Sequence, residues 1–250
     1  MSLLAHEIRT QQLLFWRNRE SAVFTFLLPI IFFLMFGAIY GNDRIEGRYE
    51  GAAFLEAGMI GYGVASVAFA GLAITMVIRR ESGVLKRVRA TPLPPATYLL
   101  AVLVSTLIVF AIEALVVVLL GRVLFGVHFP HQLLSLVLAL LLGAAAFAAL
   151  GLGITGLVRS AEGSSAVINV VYLPMSIVSG TFFSTHHYPA FLKWVAEALP
   201  LTHFTALTRH VMLDGRPIWT QGWQVLVVAA WGVAGLLGAV RGFRWAPREG

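Results

Sequence analysis

Three groups of residues in this chain have types and spacings that could support chemistry. They are a basic run between residues 79 and 96, the lone acid Glu113 in the apolar stretch 90–121, and two pairs of histidines. A basic run can bind an acidic partner, an acid at membrane depth can bind a cation or carry a proton, and histidines can ligate a metal. The elements that carry these residues decide which chemistry is possible.

The histidine pairs, His128 with His131 and His186 with His187, lie at the ends of apolar stretches with no carboxylate or cysteine beside them in the sequence. A closed metal site needs three or four ligands, so histidines at the membrane interface are the better interpretation. The chain contains no Cys, which excludes thiolate-bound metals and thiol nucleophiles. The sequence therefore predicts neither a metal site nor a catalytic set in this chain.

The elements that must position these residues are membrane helices. The 250 residues are 58% hydrophobic and 12% charged, about half the charged fraction of a soluble domain. Uncharged stretches of about 20 residues can cross a bilayer as helices, which satisfy their own backbone groups. We therefore predict an all-α membrane protein with six spans, at about 21–41, 55–78, 97–121, 133–158, 165–184 and 222–241.

The distribution of Lys and Arg predicts the orientation of these spans. With six spans both termini share one side, and that side carries twelve Lys and Arg against six on the other. The positive-inside rule then places both termini in the cytoplasm. The twelve include Arg241, Arg244 and Arg248 near the C-terminus. Topology thus explains the net charge of +6, and no clustered basic face in a soluble module predicts a nucleic-acid partner.

Residues 2–20 precede the first span and mix apolar with basic side chains. This pattern favours a helix that lies on the inner leaflet in contact with lipid. A plain charged tail is the alternative, because the apolar stripe is imperfect. A cleaved signal peptide is not expected, since the apolar run is long and no A-x-A follows it.

The segment 79–96 lies between the second and third predicted spans and holds five of the 18 basic residues. Its apolar residues, Val84, Leu85 and Val88, share one face of a helix, while its cations take the other. Pro92 ends this helix. A short amphipathic helix here could dock on a soluble partner and move both attached spans, whereas an ordinary positive-inside loop is the alternative.

The sequence of this segment resembles the cytoplasmic loop of ABC-2-type transporter permeases. The matching residues are Glu81, Gly83, Leu85, Lys86, Arg87, Arg89, Ala90, Thr91, Pro92 and Leu93. The similarity extends to the length, the six spans and the N-terminal interfacial helix, so that it covers residues 1–250 as a single transmembrane domain.

The resemblance implies that 81–92 is a coupling helix in contact with a separate cytoplasmic ABC ATPase. The residues it assigns to that contact are Glu81, Gly83, Leu85, Lys86, Arg87, Arg89, Thr91 and Pro92. It also implies a second permease copy, either identical or related, and a multi-pass protein of the bacterial cytoplasmic (inner) membrane. The implied activity is export of a small amphipathic, drug-like, lipid or glycan substrate.

ATP hydrolysis within the chain is not expected. A P-loop needs lysine in the pattern G-x-x-x-x-G-K-[ST]. The two lysines of the chain, Lys86 and Lys193, each follow a leucine. We therefore expect no cofactor here, and expect ATP and Mg to bind to the partner ATPase.

Residues 185–221 are too polar for a span, and two short helices are predicted within 189–213, separated at Pro200. The resemblance gives such helices the role of an outer gate, which makes Pro200 and Arg209 candidates. Glycines recur in the second, fourth and sixth spans and predict close helix packing, either static or sliding.

Two polar residues inside predicted spans are candidates for a translocation path. Glu113 could bind a cationic substrate, relay protons or hold a structural hydrogen bond. Asn169 is a second candidate, with an interhelical hydrogen bond as the alternative. Glu56, at the outer end of the second span, is expected to stay solvated. A rival function, from Glu113 alone, is a proton- or ion-coupled secondary transporter without an ATPase.

Overall fold

The computed structural model describes residues 2–246, apart from the side chain of His187. Within this part, six helices are long and apolar enough to cross a membrane, which confirms a mostly helical protein with about six candidate spans. Arg248, counted above among the cytoplasmic basic residues, lies outside the described residues, as do both ends of the predicted domain 1–250.

The described residues form ten longer helices, two very short strands and two single 3-10 turns, at Thr185–His187 and Ile218–Thr220. In chain order the longer helices and the strands are α1 (Leu3–Arg17), α2 (Arg19–Tyr40), β1 (Arg44–Ile45), β2 (Tyr49–Glu50), α3 (Gly51–Glu81), α4 (Val84–Arg89), α5 (Pro95–Phe125), α6 (Leu133–Thr155), α7 (Ala161–Val178), α8 (Ala190–Ala198), α9 (Pro200–Met212) and α10 (Gly222–Gly242). The six candidate spans are α2, α3, α5, α6, α7 and α10. The α1 helix occupies the predicted interfacial segment, and α8 and α9 occupy the predicted outer segment.

Several helices differ in length from the sequence expectation, and two of these differences have a clear local cause. The fifth span, expected to reach residue 184, ends at Val178 because Ser179 caps it and Gly180 follows with a left-handed φ of 74°. The helix expected over 81–92 covers only Val84–Arg89. Glu81 belongs to the end of α3, and the left-handed Gly83 (φ 73°) separates the two helices.

The α3 helix is the centre of the bundle. Of its most apolar 18 residues 78% are buried, against 22% in α2 and 17% in α10. It is α-helical over Gly51–Gly63 and Leu72–Glu81 but π-helical between them, over Val64–Gly71. A π-helix is rare and frequently lies at a functional site, because its wider turn shifts the side chains that follow.

The α6 and α10 helices pack backbone against backbone. A Cβ added to Gly235 would come 2.5 Å from the backbone nitrogen of Leu150, and one added to Gly153 would come 2.8 Å from the carbonyl oxygen of Gly235. Such close approach needs glycine, as the sequence predicted for these two spans.

The end of the bundle opposite α4 carries a small hairpin that the sequence analysis did not predict. Strands β1 and β2 pair antiparallel, with Arg44 opposite Glu50. Tyr49 donates a hydrogen bond from its hydroxyl to Asp214 Oδ1 at 2.8 Å, which ties the hairpin to the segment after α9.

Candidate functional site

The α4 helix, between α3 and α5, has one buried and one exposed face. Leu85 is fully buried and Val88 is half-buried. Lys86, Arg87 and Arg89 are exposed. The amphipathic pattern of the sequence is therefore present in the fold, in a helix shorter than expected. The exposed face is basic and includes no acid.

Arg80 connects the α4 end of α3 to the end of α6. Its side chain is only 2% exposed. It donates hydrogen bonds to the backbone oxygens of Thr155 at 2.9 Å and Val158 at 2.7 Å, and its Nε donates to Glu81 Oε1 at 2.6 Å. The last carbonyls of a helix have no partner within it, so a guanidinium can satisfy them. The pairing with Glu81 supplies the opposite charge that a buried cation requires.

Arg79 connects the same end of α3 to α1 and α5. It donates hydrogen bonds to Gln11 Oε1 at 2.7 Å and to the hydroxyl of Tyr98 at 2.9 Å. The α1 helix is fixed to α5 a second time, because Gln12 Nε2 donates to the backbone oxygen and the hydroxyl of Ser105, both at 2.9 Å. The junction between α3 and α4, formed by Arg79 to Gly83 and called here the root of α4, is thus joined to α1, α5 and α6 as well as to α3.

The eight residues that the sequence assigned to the ATPase contact divide into two groups. Glu81 and Leu85 face the protein, and Gly83 forms the turn before α4. The other five lie exposed on α4 or just beyond it, and they are Lys86, Arg87, Arg89, Thr91 and Pro92. Thr91 donates from its hydroxyl to the backbone oxygen of Val88 at 2.6 Å, which closes the end of the helix.

Glu113 lies deep in the bundle, where α5 faces α3. It is 2% exposed, and among the described residues neither carboxylate oxygen has a hydrogen-bond partner. A Cβ added to Gly63 would lie 3.0 Å from both of these oxygens. Glycine at this position therefore makes the room that the carboxylate occupies.

Glu56 is buried, so the expectation that it stays solvated is wrong. It is 1% exposed and has no hydrogen-bond partner within the described part of the chain. The reason is that α3 begins at Gly51, so that Glu56 lies in the second turn of a helix that is buried over nearly all of Gly51–Gly63. There it lies against Gly121, where any added side chain would overlap its carboxylate.

Arg209 on α9 holds three segments together at the end of the bundle opposite α4. It donates a hydrogen bond to the backbone oxygen of Gly180, and its guanidinium carbon lies 3.5 Å from the centre of the Phe54 ring. A Cβ added to Gly58 would lie 3.4 Å from Nη2 of Arg209, so the guanidinium also packs against α3 there. Burial lowers the pKa of Arg209 to about 9, opposed by the negative charge of Glu46. The guanidinium therefore stays protonated at neutral pH.

The four candidate path or gate residues do not form one site. Pro200 is buried and starts α9, and Asn169 is half-buried on α7. Arg209 contacts α3 at Gly58, five residues before Gly63, where Glu113 lies, which is about 7.5 Å along the helix axis. Glu113 and Arg209 therefore both contact α3, but at different positions along the axis of that helix.

No group of three or more His, Cys, Asp or Glu side chains able to hold a metal occurs among residues 2–246. His186 Nε2 lies 3.5 Å from Glu46 Oε1, so its described neighbour is a single carboxylate in the hairpin turn. A pair of this kind links two surface segments.

A family model described as ABC-2 type transporter matches residues 4–213, which include the α4 region and both buried acids. The chain belongs to this family. It is also 26% identical over 204 residues to a Bacillus subtilis (strain 168) protein named "Putative transport permease YvfS", a match covering 81% of this chain and 82% of that protein. These similarities identify a multi-pass membrane transport permease.

Several residues that organise this ABC-2 type transporter were missed by sequence reasoning. Arg79 and Arg80 were counted only as part of a basic loop, although they fix its root. The burial of Glu56 was missed as well, although a signal exists. Glu56 and Gly63 lie seven residues apart on α3, and Glu113 and Gly121 lie eight apart on α5, so each pair occupies one helix face.

Proposed function

We propose that this chain is the membrane permease subunit of an ATP-driven exporter, and that α4 is where a separate ATPase subunit acts on it. The observation that supports the proposal is the attachment of α4. Its three cations are exposed, while Leu85 and the arginines at its root bind it to the bundle. A force on the exposed face would therefore reach four helices.

Neither lysine of the sequence lies in a P-loop pattern, so the ATP that drives this proposed exporter would be hydrolysed by a partner protein. Family membership implies an ABC ATPase as that partner. ATP and Mg are then bound by the ATPase, and its closure pushes α4 and tilts α3 and α5. The contribution of this chain is mechanical: Gly83 sets the angle of α4, and Arg80 carries the movement to α6.

Two copies of the permease, surrounded by lipid, would form the translocation path. One copy has six candidate spans and no internal repeat, which makes a closed path within a single chain difficult. The positive-inside rule places α4 and both termini in the cytoplasm. The relative named above is bacterial, and we propose the bacterial inner membrane as the location. The substrate would be amphipathic, because the loops between the candidate spans of residues 2–246 are too short for a folded domain, so that recognition falls to the apolar and aromatic spans themselves.

The test is to co-express the chain with a neighbouring candidate ABC ATPase, purify the complex in detergent, and measure ATP-dependent transport in vesicles. Lys86→Glu with Arg87→Glu should reduce ATPase co-purification and transport by at least about ten-fold, because the new carboxylates would face the acidic surface that a basic helix fits, and like charges across an interface cost several kcal/mol. Lys193→Glu with Arg44→Glu is the matched control, as it makes the same charge change on exposed residues at the opposite end. Equal transport in both double variants would contradict the role of α4.

A second candidate function is an ion-coupled transporter, favoured by the buried and unpartnered Glu113. It predicts transport that follows a proton gradient without ATP. The same vesicles distinguish the two functions, because an imposed proton gradient can replace ATP only if the second one applies. Export that needs ATP, with no response to the gradient, supports the ATPase-driven function.

A further inference from the structure

A cavity of about 500 Å³ opens in the half of the bundle that carries α4, between α1, α2, α3 and α5. Its volume lies in the range of about 300–1,000 Å³ that small-molecule sites occupy. Apolar side chains such as Phe15 and Val67 share the wall with hydroxyls and amides such as Ser66, Thr106 and Asn18. Such a mixed lining suits an amphipathic molecule.

The end of this cavity that lies farthest from α4 is one helical turn from Glu113. Ser66 on α3 and Val109 on α5 both line the cavity. Gly63, against which the Glu113 carboxylate lies, precedes Ser66 by three residues, and Glu113 follows Val109 by four. Helical side chains lean towards the N-terminus of their helix, so Glu113 leans back towards Val109 and the cavity.

Among residues 2–246, no cation forms an ion pair with the Glu113 carboxylate. Both of its oxygens lack a hydrogen-bond partner among the described residues. Arg79 also lines the cavity, but it is bonded to Gln11 and Tyr98 at the opposite end. Sixteen residues separate Arg79 from Gly63, which is about 24 Å along a helix. A carboxylate at membrane depth without a partner is the usual mark of a ligand or ion path.

Aromatic rings surround the position next to Gly63. The ring centre of Tyr62 lies 5.7 Å from those of Phe32 and Phe182, and 5.8 Å from that of Tyr172. The faces of aromatic rings attract organic cations, and desolvation strengthens this attraction. A carboxylate together with such rings is the chemistry that recognises a substituted ammonium or phosphonium group.

We infer that this protein binds an amphipathic organic monocation, with its apolar body in the cavity and its charge directed to Glu113. The inference deepens the proposed function, since this ligand is then the exported substrate. Binding itself requires no ATPase. Neutral glycans and anionic lipids are disfavoured, because they leave the carboxylate unpaired or repel it.

The experiment measures binding of tetraphenylphosphonium to the full chain in nanodiscs, with empty nanodiscs subtracted. Tetraphenylborate, an anion of nearly the same shape, is the matched probe. We expect saturable binding of the cation only, and Glu113→Gln should weaken it by at least about ten-fold, as expected for loss of one partner of a buried charge pair. Glu56→Gln is the matched control, because it neutralises the other buried acid, which precedes the cavity residue Ser66 by ten residues on α3, about 15 Å along the helix. It should change the affinity less than about two-fold.

A thermal melt of each variant checks that it folds, and Glu113→Asp provides a second variant that keeps the charge and should retain part of the binding. Equal binding of the two probes, or unchanged cation binding in Glu113→Gln, would overturn the inference. An equal loss in Glu56→Gln would overturn it too. Failure of the α4 variants to affect transport, with Glu113-dependent binding intact, would reject the ATPase coupling and leave this site standing.

Discussion

Two neighbouring arginines, Arg79 and Arg80, have different partners although their sequence context is the same. Arg80 is buried and holds the carbonyl oxygens at the end of α6, whereas Arg79 holds the side chains of Gln11 and Tyr98. Which arginine faces α6 depends on the rotation of α3. That rotation is affected by the π-helical segment before them, since a wider turn changes the angular position of every later residue. Hydropathy carries no information about it.

The buried acids make a reciprocal pattern with glycines. Glu56 on α3 lies against Gly121 on α5, and Glu113 on α5 lies against Gly63 on α3. Because α3 and α5 are consecutive spans and run antiparallel, an acid and a glycine two turns apart on each helix can pair in this way. The acid and glycine positions of this pattern are visible in the sequence, and Glu113 was identified there as the lone acid of an apolar stretch. The sequence did not predict the burial of Glu56, because the start of α3 was placed four residues too late.

We predict that Gly121→Ala lowers the stability of the protein. The added methyl overlaps the Glu56 carboxylate, and overpacking of this kind typically costs about 1–3 kcal/mol. For a chain of this size that corresponds to a melting temperature lower by roughly 2–12 °C. Adding Glu56→Ala should restore most of the loss, because it removes the overlapping group.

The control for this pair is Gly222→Ala, since an added Cβ there meets open space. Its melting temperature should equal that of the native chain. The measurement is thermal unfolding in detergent, and the two single variants and the double variant form a cycle. Additive losses in the double variant would contradict the contact between Glu56 and Gly121.

At the scale of elements, the sequence predicted the number and approximate position of the spans, because each needs a long uncharged stretch. It could not predict the π-helical segment Val64–Gly71. It also could not predict the length of α4, since the family resemblance implied a helix over 81–92. The helix is limited to six residues by Gly83 on one side and by the turn that Thr91 closes on the other.

We predict that Gly83→Ala impairs transport more than it impairs folding. Gly83 has a φ of 73°, and an L-residue in this region costs about 1–2 kcal/mol. No atom lies within 4 Å of an added Cβ, so the effect is on backbone conformation alone. The strain is relieved if α4 changes its angle, which disturbs the proposed docking surface.

Gly83→Asn is the matched control, because asparagine tolerates the left-handed conformation better than alanine. Transport should fall in the order glycine, asparagine, alanine, while the three melting temperatures stay within a few degrees. The measurement is ATP-dependent transport in vesicles at equal protein content. If alanine transports as well as glycine, the angle of α4 is not important for coupling.

For the whole molecule, the bundle is arranged around one central span. The α3 helix is largely buried, whereas α2, α7 and α10 expose large apolar side chains along most of their length. Exposed apolar faces of this kind fit lipid tails or a second copy of the chain. The sequence could not identify the central span, because hydropathy does not determine burial: α3 and α10 have the same mean hydropathy of 1.8 but very different buried shares, 78% and 17%.

The orientation of the whole molecule gives the last prediction, and the absence of cysteine makes it testable. The native chain has no Cys, so a membrane-impermeant maleimide should not label it in intact cells. Asn42→Cys and Ser82→Cys introduce exposed thiols at opposite ends of the bundle. We expect Asn42→Cys to be labelled in intact cells and Ser82→Cys only after permeabilisation, because the side with more Lys and Arg faces the cytoplasm. The reverse pattern would place α4 outside the cell, where no cytoplasmic ATPase could reach it.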